Sequence, residues 1–229
     1  MKKLSVSMTP AQMWAGLIYL AFQFLLLPYI LVLVNLLSGG TLSEVQINFI
    51  YFCVEFLFVT LIFHKFLLES TKAALKKPWI CLRYAFLGLI LYWLVSLVVN
   101  NLIVVVYPEF YNVNDASLNT MTKDNYALMA IGTVVLVPVA EETLFRGMIF
   151  RFLYERNSFL GYTLSALAFS AMHVLGYIGI YSPAHLLLCL IQYLPAGICL
   201  AWAYVKADSV WAPILMHITI NQIGILSMR

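Results

Sequence analysis

Apolar residues in this chain come in long runs, at about 12 to 37, 46 to 68, 80 to 106, 126 to 150, 159 to 178, 184 to 205 and 209 to 227, with short polar segments between them. Each run approaches or exceeds the roughly 20 residues that an α-helix needs to cross the hydrocarbon core of a bilayer. The pattern therefore predicts an all-α membrane protein, a polytopic bundle of about seven transmembrane helices. The longest break, Tyr107 to Asn125, holds Pro108 with Asn112, Asn114, Asp115, Asn119 and Asp124, and reads as solvated turns. No internal repeat stands out, which weakens an inverted-repeat transporter.

Composition agrees with the pattern. Of 229 residues, 63% are hydrophobic and 10% are charged, against roughly 25% charged in a soluble domain. The first apolar run is too long for a signal-peptide core and reads as a membrane helix. Cys53, Cys81, Cys189 and Cys199 fall in or beside apolar runs without metal-type spacing, and read as packing residues. A net charge of +3 does not indicate a nucleic-acid partner.

Charge placement instead gives orientation. With a cytoplasmic N-terminus, the inner segments carry Lys2, Lys3, Lys65, Lys72, Lys76, Lys77, Arg83, Arg151, Arg156 and Lys206, and the outer ones carry only Lys123 and Arg229. The outer segments hold Glu44, Glu109, Asp115 and Asp124. This predicts an integral membrane protein with its C-terminus outside, in a membrane such as the bacterial cytoplasmic one.

Against this background, a few polar residues stand out because they lie deep in apolar runs: Glu141, Glu142 and Arg146, then His173, then His217 and Asn221. A charge at the bilayer centre costs roughly 3 kcal/mol or more, so each requires compensation. At the helical rise, Glu141 lies about 15 Å in from Arg151, His217 about 12 Å and Asn221 about 18 Å in from Ser209, and His173 about 21 Å from Phe159. These depths allow one buried polar cavity. Glu142 and Arg146, four apart, share a face and can neutralise each other, which leaves Glu141 pointing elsewhere. Pro138 and Pro213, beside the two clusters, are expected to kink their helices and open space for water.

A carboxylate, two imidazoles and a carboxamide supply a general base and donors for an oxyanion, the requirements of a hydrolase. Glu141, His173 and His217 would also suit zinc, although no HEXXH motif is present. Cofactor use, metal or none, stays open on these residues. Glu55, mid-way along the second run, has no evident partner. His64 lies near the end of that run, and His185 reads as interfacial.

Three segments carry a resemblance. "EETLFR" matches an EExxxR motif, "FSAMH" an FxxxH motif and "HITIN" an HxxxN motif, and with them the chain resembles the CAAX protease and bacteriocin-processing (CPBP, or Abi) family of intramembrane proteases. The resemblance implies a catalytic helix core at 126–229, in the last four helices, after a variable region of about three helices at 1–125. It implies that Glu141 activates water together with His173, that His217 and Asn221 stabilise the oxyanion, and that Glu142 and Arg146 are structural. The implied function is endopeptidase cleavage of a peptide or membrane-tethered protein. Two other readings use the same residues: a non-catalytic membrane immunity protein or adaptor, and a proton-coupled transporter.

Overall fold

The protein, described over residues 3–228 in a computed structural model, is helical throughout, and no β-strand occurs among those residues. Lys2 and Arg229 of the charge assignment lie outside the described residues. Among the described residues ten longer helices follow one another: α1 (Pro10–Leu25), α2 (Leu27–Leu37), α3 (Glu44–Ile62), α4 (His64–Lys76), α5 (Pro78–Val106), α6 (Val113–Asp124), α7 (Tyr126–Tyr154), α8 (Ser158–Met172), α9 (Pro183–Ala207) and α10 (Trp211–Ser227). Short polar residues start many of them. Thr9 with Gln12 and Ser43 with Gln46 form reciprocal capping boxes, and Asn112, Asn125, Asn157 and Ser182 each accept a hydrogen bond from a first-turn N–H.

Every expected apolar run holds a helix, but not every helix is long enough to cross a bilayer. Four qualify, α3, α5, α7 and α9, or five when α1 and α2 count as one span bent by 51°. Pro28 explains the bend, since it sits at the start of α2 and cannot donate back to α1. With 15 and 17 residues, α8 and α10 are shorter than a span. The protein's outer surface is apolar, with Leu37, Trp79 and Val105 all exposed. That surface and the apolar helices make it an integral membrane protein.

Two expectations about the backbone are corrected. The stretch Tyr107 to Asn125, read as solvated turns, contains α6, and its asparagines serve as caps: Asn112 starts α6 and Asn125 starts α7. Pro213 does not kink its helix, because it sits in the first turn of α10, where N–H groups have no intrahelical acceptor in any case. The prolines inside helices are Pro138, in α7, and Pro195, in α9.

Interior packing centres on α9, which lies against both α5 and α8. Gly197 permits the α8 contact, since a Cβ there would stand 2.8 Å from Ala166 Cα. Gly197→Ala is therefore expected to cost about 1–3 kcal/mol, read as thermal unfolding in detergent. Gly224→Ala on α10, with nothing within 4 Å of the new methyl, should be neutral or stabilising by up to about 1 kcal/mol.

Candidate active site

The polar residues of α7 depend on how that helix winds. Two stretches, Ile131–Leu136 and Thr143–Phe150, adopt the wider π-helical turn, a local underwinding that often marks functional positions. In the first stretch, Val137 donates to the Gly132 carbonyl, five residues back. The next bond in that register would run from residue 138 to Thr133, but residue 138 is proline and has no N–H. Asn221 supplies the missing donor, its Nδ2 lying 2.7 Å from the Thr133 carbonyl oxygen. Pro138 thus acts by leaving an acceptor that another helix must satisfy.

One turn further on, Glu142 and Arg146 are both fully buried, with Arg146 Nε 3.1 Å from Glu142 Oε2. The pair expected from their spacing forms, although by proximity of charge rather than by an aligned hydrogen bond. The guanidinium also lies 4.1 Å over the ring of Phe169 and reaches the Gly197 carbonyl at 3.5 Å. Glu142 has a second partner that its spacing did not predict. His217 Nδ1 is 2.8 Å from Glu142 Oε1. A carboxylate only accepts, so His217 Nδ1 carries the proton and donates.

This leaves His217 Nε2 as the ring atom nearer Glu141, 4.0 Å from its Oε2. That gap exceeds a direct hydrogen bond and suits a bridging water. Glu141 is 5% exposed, and its Oε2 has no hydrogen-bond partner among the described residues. Its freedom from the ion pair, expected from the 100° rotation between successive residues, is thus seen in the structure.

His173 caps the end of α8, where its Nδ1 lies 2.8 Å from the Phe169 carbonyl oxygen. By the same logic Nδ1 is protonated, and Nε2 is a bare acceptor. The ring stacks on Tyr193, with centroids 4.1 Å apart. Tyr193 is in turn held from α6: its hydroxyl donates to Asp115 Oδ1 at 2.8 Å and accepts from Asn114 Nδ2 at 3.0 Å. Burial pushes the Asp115 carboxyl upward from the usual carboxylate range, and the tyrosine hydrogen bond draws it back down. Sequence reasoning missed Tyr193. The signal available was the polar pair Gln192 and Tyr193 within an apolar helix.

Glu141, His173, His217 and Asn221 all line one cavity of about 440 Å³. No hydrogen bond joins Glu141 to His173, so the two meet only across that space. Not all of the wall comes from the last four helices, because Gln23, Tyr51, Glu55 and Trp93 contribute from α1, α3 and α5. Glu55 has a partner after all, Gln23 Nε2 at 2.7 Å. His185 is buried rather than interfacial, its Nε2 2.9 Å from the Tyr111 carbonyl oxygen. His64 is exposed and bonds only to the carbonyl of Leu61 at the end of α3.

For zinc the fit fails. Among the described residues no three His, Cys, Asp or Glu side chains converge to hold a metal ion, so Glu141, His173 and His217 do not form the ligand set that their chemistry allowed. No step below is routed through a metal.

Residues 123–223 match the family described as type II CAAX prenyl endopeptidase Rce1-like. A stretch of 95 residues, 41% of this chain, is 33% identical to the "Putative membrane peptidase YdiL" of Bacillus subtilis (strain 168). That stretch covers 34% of the relative, so the chain spans about a third of its length. No solved structure matches the chain.

Three outcomes follow from this geometry. Glu142→Ala, which strands Arg146 in the interior, should lower stability by about 3–5 kcal/mol in thermal unfolding. Asn221→Ala should cost about 1–3 kcal/mol by orphaning the Thr133 carbonyl. Pro138→Ala, which restores a backbone donor, should recover most of the Asn221→Ala loss in the double variant.

Proposed function

We propose that this chain, whose residues 123–223 match the type II CAAX prenyl endopeptidase Rce1-like family, is an intramembrane endopeptidase that hydrolyses an amide bond with water activated by Glu141. The observation that carries this reading is the division of labour between neighbouring carboxylates. Glu142 is spent on Arg146 and His217, whereas Glu141 faces the cavity with an oxygen unpaired.

In the proposed reaction a water sits between Glu141 and His173. Glu141 takes one proton as the water oxygen bonds to the substrate carbonyl carbon, and the bare His173 Nε2 orients the water by accepting its second hydrogen. Negative charge then develops on the former carbonyl oxygen. His217 meets it as an imidazolium, its positive charge supported by Glu142 at Nδ1 and its Nε2–H turned to the oxyanion. Asn221 spends one amide hydrogen on Thr133 and has a second for the oxyanion. Collapse of the intermediate breaks the C–N bond, and Glu141 returns its proton to the leaving nitrogen. The products are a carboxylic acid and an amine.

In this reading residues 126–229 are the catalytic core, while 1–125 complete the walls of the cavity. The substrate is a peptide or membrane-tethered protein, and the setting is a bacterial cytoplasmic membrane with the N-terminus inside. Peptide or bacteriocin maturation suits that setting better than prenyl-protein processing.

The test is cleavage of a peptide library by purified protein in liposomes, with and without chelator. Glu141→Ala should lower cleavage by about 10²–10⁴-fold while the protein stays monodisperse and folded, and the chelator should leave the rate unchanged. Undiminished cleavage by Glu141→Ala would overturn the proposal.

A further inference from the structure

Apart from the two histidines, the ionisable side chains that bring charge to the cavity wall are carboxylates. Glu55, Asp115 and Glu141 line it, and among the described residues no lysine or arginine does. Glu55 is 2% exposed and sits mid-helix on α3, where an ionised carboxylate is costly without a counter-charge. Its partner Gln23 is uncharged and donates through Nε2 at 2.7 Å. That bond turns the other end of the Gln23 amide into a problem of its own. Gln23 Oε1 is buried and has no donor among the described residues. The Tyr51 hydroxyl lies beside the same amide, and Phe52 and Trp93 add aromatic surface.

The unpaired polar atoms recorded on this part of the wall are acceptors. Glu55 is an acceptor when ionised, Gln23 Oε1 is an acceptor, and Glu141 Oε2 is an acceptor without a partner. Buried polar atoms are seldom left unpaired, so what fills the space must bring donors. A group that brings several donors, no acceptor and a positive charge is an ammonium or a guanidinium. Aromatic side chains lining the same cavity add cation–π attraction for the same kind of group. A neutral or acidic side chain would leave Glu55 uncompensated.

We propose that the cavity selects peptide substrates carrying a positively charged group near the scissile bond, and that Glu55, backed by Gln23, is the carboxylate that receives it. The inference rests on the peptidase reading for its substrate and adds a specificity residue outside the three motifs.

The probe is a set of apolar peptides, each with one lysine moved through the sequence and each matched by a norleucine peptide, in free and N-acetylated forms. In liposomes, wild-type protein should favour a lysine peptide over its norleucine match by about tenfold or more in kcat/KM, and Glu55→Gln should remove most of that ratio. The preference should persist in the N-acetylated peptides, which assigns it to the lysine side chain, and a preference confined to the free forms overturns the inference. An unchanged ratio in Glu55→Gln, or no lysine preference in wild type, overturns the inference.

Binding separates this from the peptidase reading. By fluorescence anisotropy, Glu141→Ala protein should retain the lysine preference and the Glu141→Ala, Glu55→Gln double variant should lose it. Preferential binding without cleavage by wild type would reject only the peptidase reading, and cleavage without preference only the inference. If Glu55→Gln does not fold, Gln23→Leu, which deletes the unpaired acceptor, should reduce the preference severalfold, and an undiminished preference there overturns the inference.

Discussion

A carboxylate with no access to water must find its compensation inside the protein, and Glu142 finds it on two sides at once. One oxygen faces Arg146 on its own helix, and the other takes the proton of His217 Nδ1 from the last helix. Removing either partner would leave a charge stranded in apolar surroundings, a state far costlier than the intact set. The contact therefore does more than neutralise. It fixes which nitrogen of His217 is protonated, and so which one faces Glu141. Phe169 extends the same arrangement to α8, since its ring lies under Arg146 and its carbonyl holds His173.

Much of this was legible in the chain. Depth along the helices placed Glu141, His173, His217 and Asn221 at one cavity, because the helical rise converts residue number into distance. Spacing of four predicted the Glu142–Arg146 pair for the same reason. What periodicity within one helix cannot report is a partner on another. The bond from His217 to Glu142, the stack of Tyr193 on His173 and the approach of Gln23 to Glu55 all depend on how helices pack, and no local pattern encodes that. Hydropathy likewise marked a helix in every apolar run but expected about seven crossings, where four or five helices are long and apolar enough to span. Although apolar, α8 is too short to span.

The polar segment before α7 shows a different kind of misreading. Asparagine and aspartate favour turns because their side chains satisfy backbone N–H groups, and they cap helices by the same means. Asn112 and Asn125 do the second. The resulting helix is tied to α9 through Asn112 to Gln192 and through Asn114 and Asp115 to Tyr193. A surface element is in this way connected, through one phenol ring, to a histidine at the centre of the bundle.

The bond between Asn221 and Thr133 has a mechanical meaning as well as a chemical one. Hydrophobic faces of neighbouring helices tolerate small axial slips, since one methyl group resembles the next. A hydrogen bond to a single carbonyl does not: a slip of one residue, about 1.5 Å, would bring a different carbonyl opposite the amide, one already engaged within its own helix. The unpaired acceptor above Pro138 therefore works as a notch and Asn221 as the pawl that drops into it. With that ratchet engaged, α7 and α10 are indexed to each other to the residue, and Glu141 and His217 face one another at the same height.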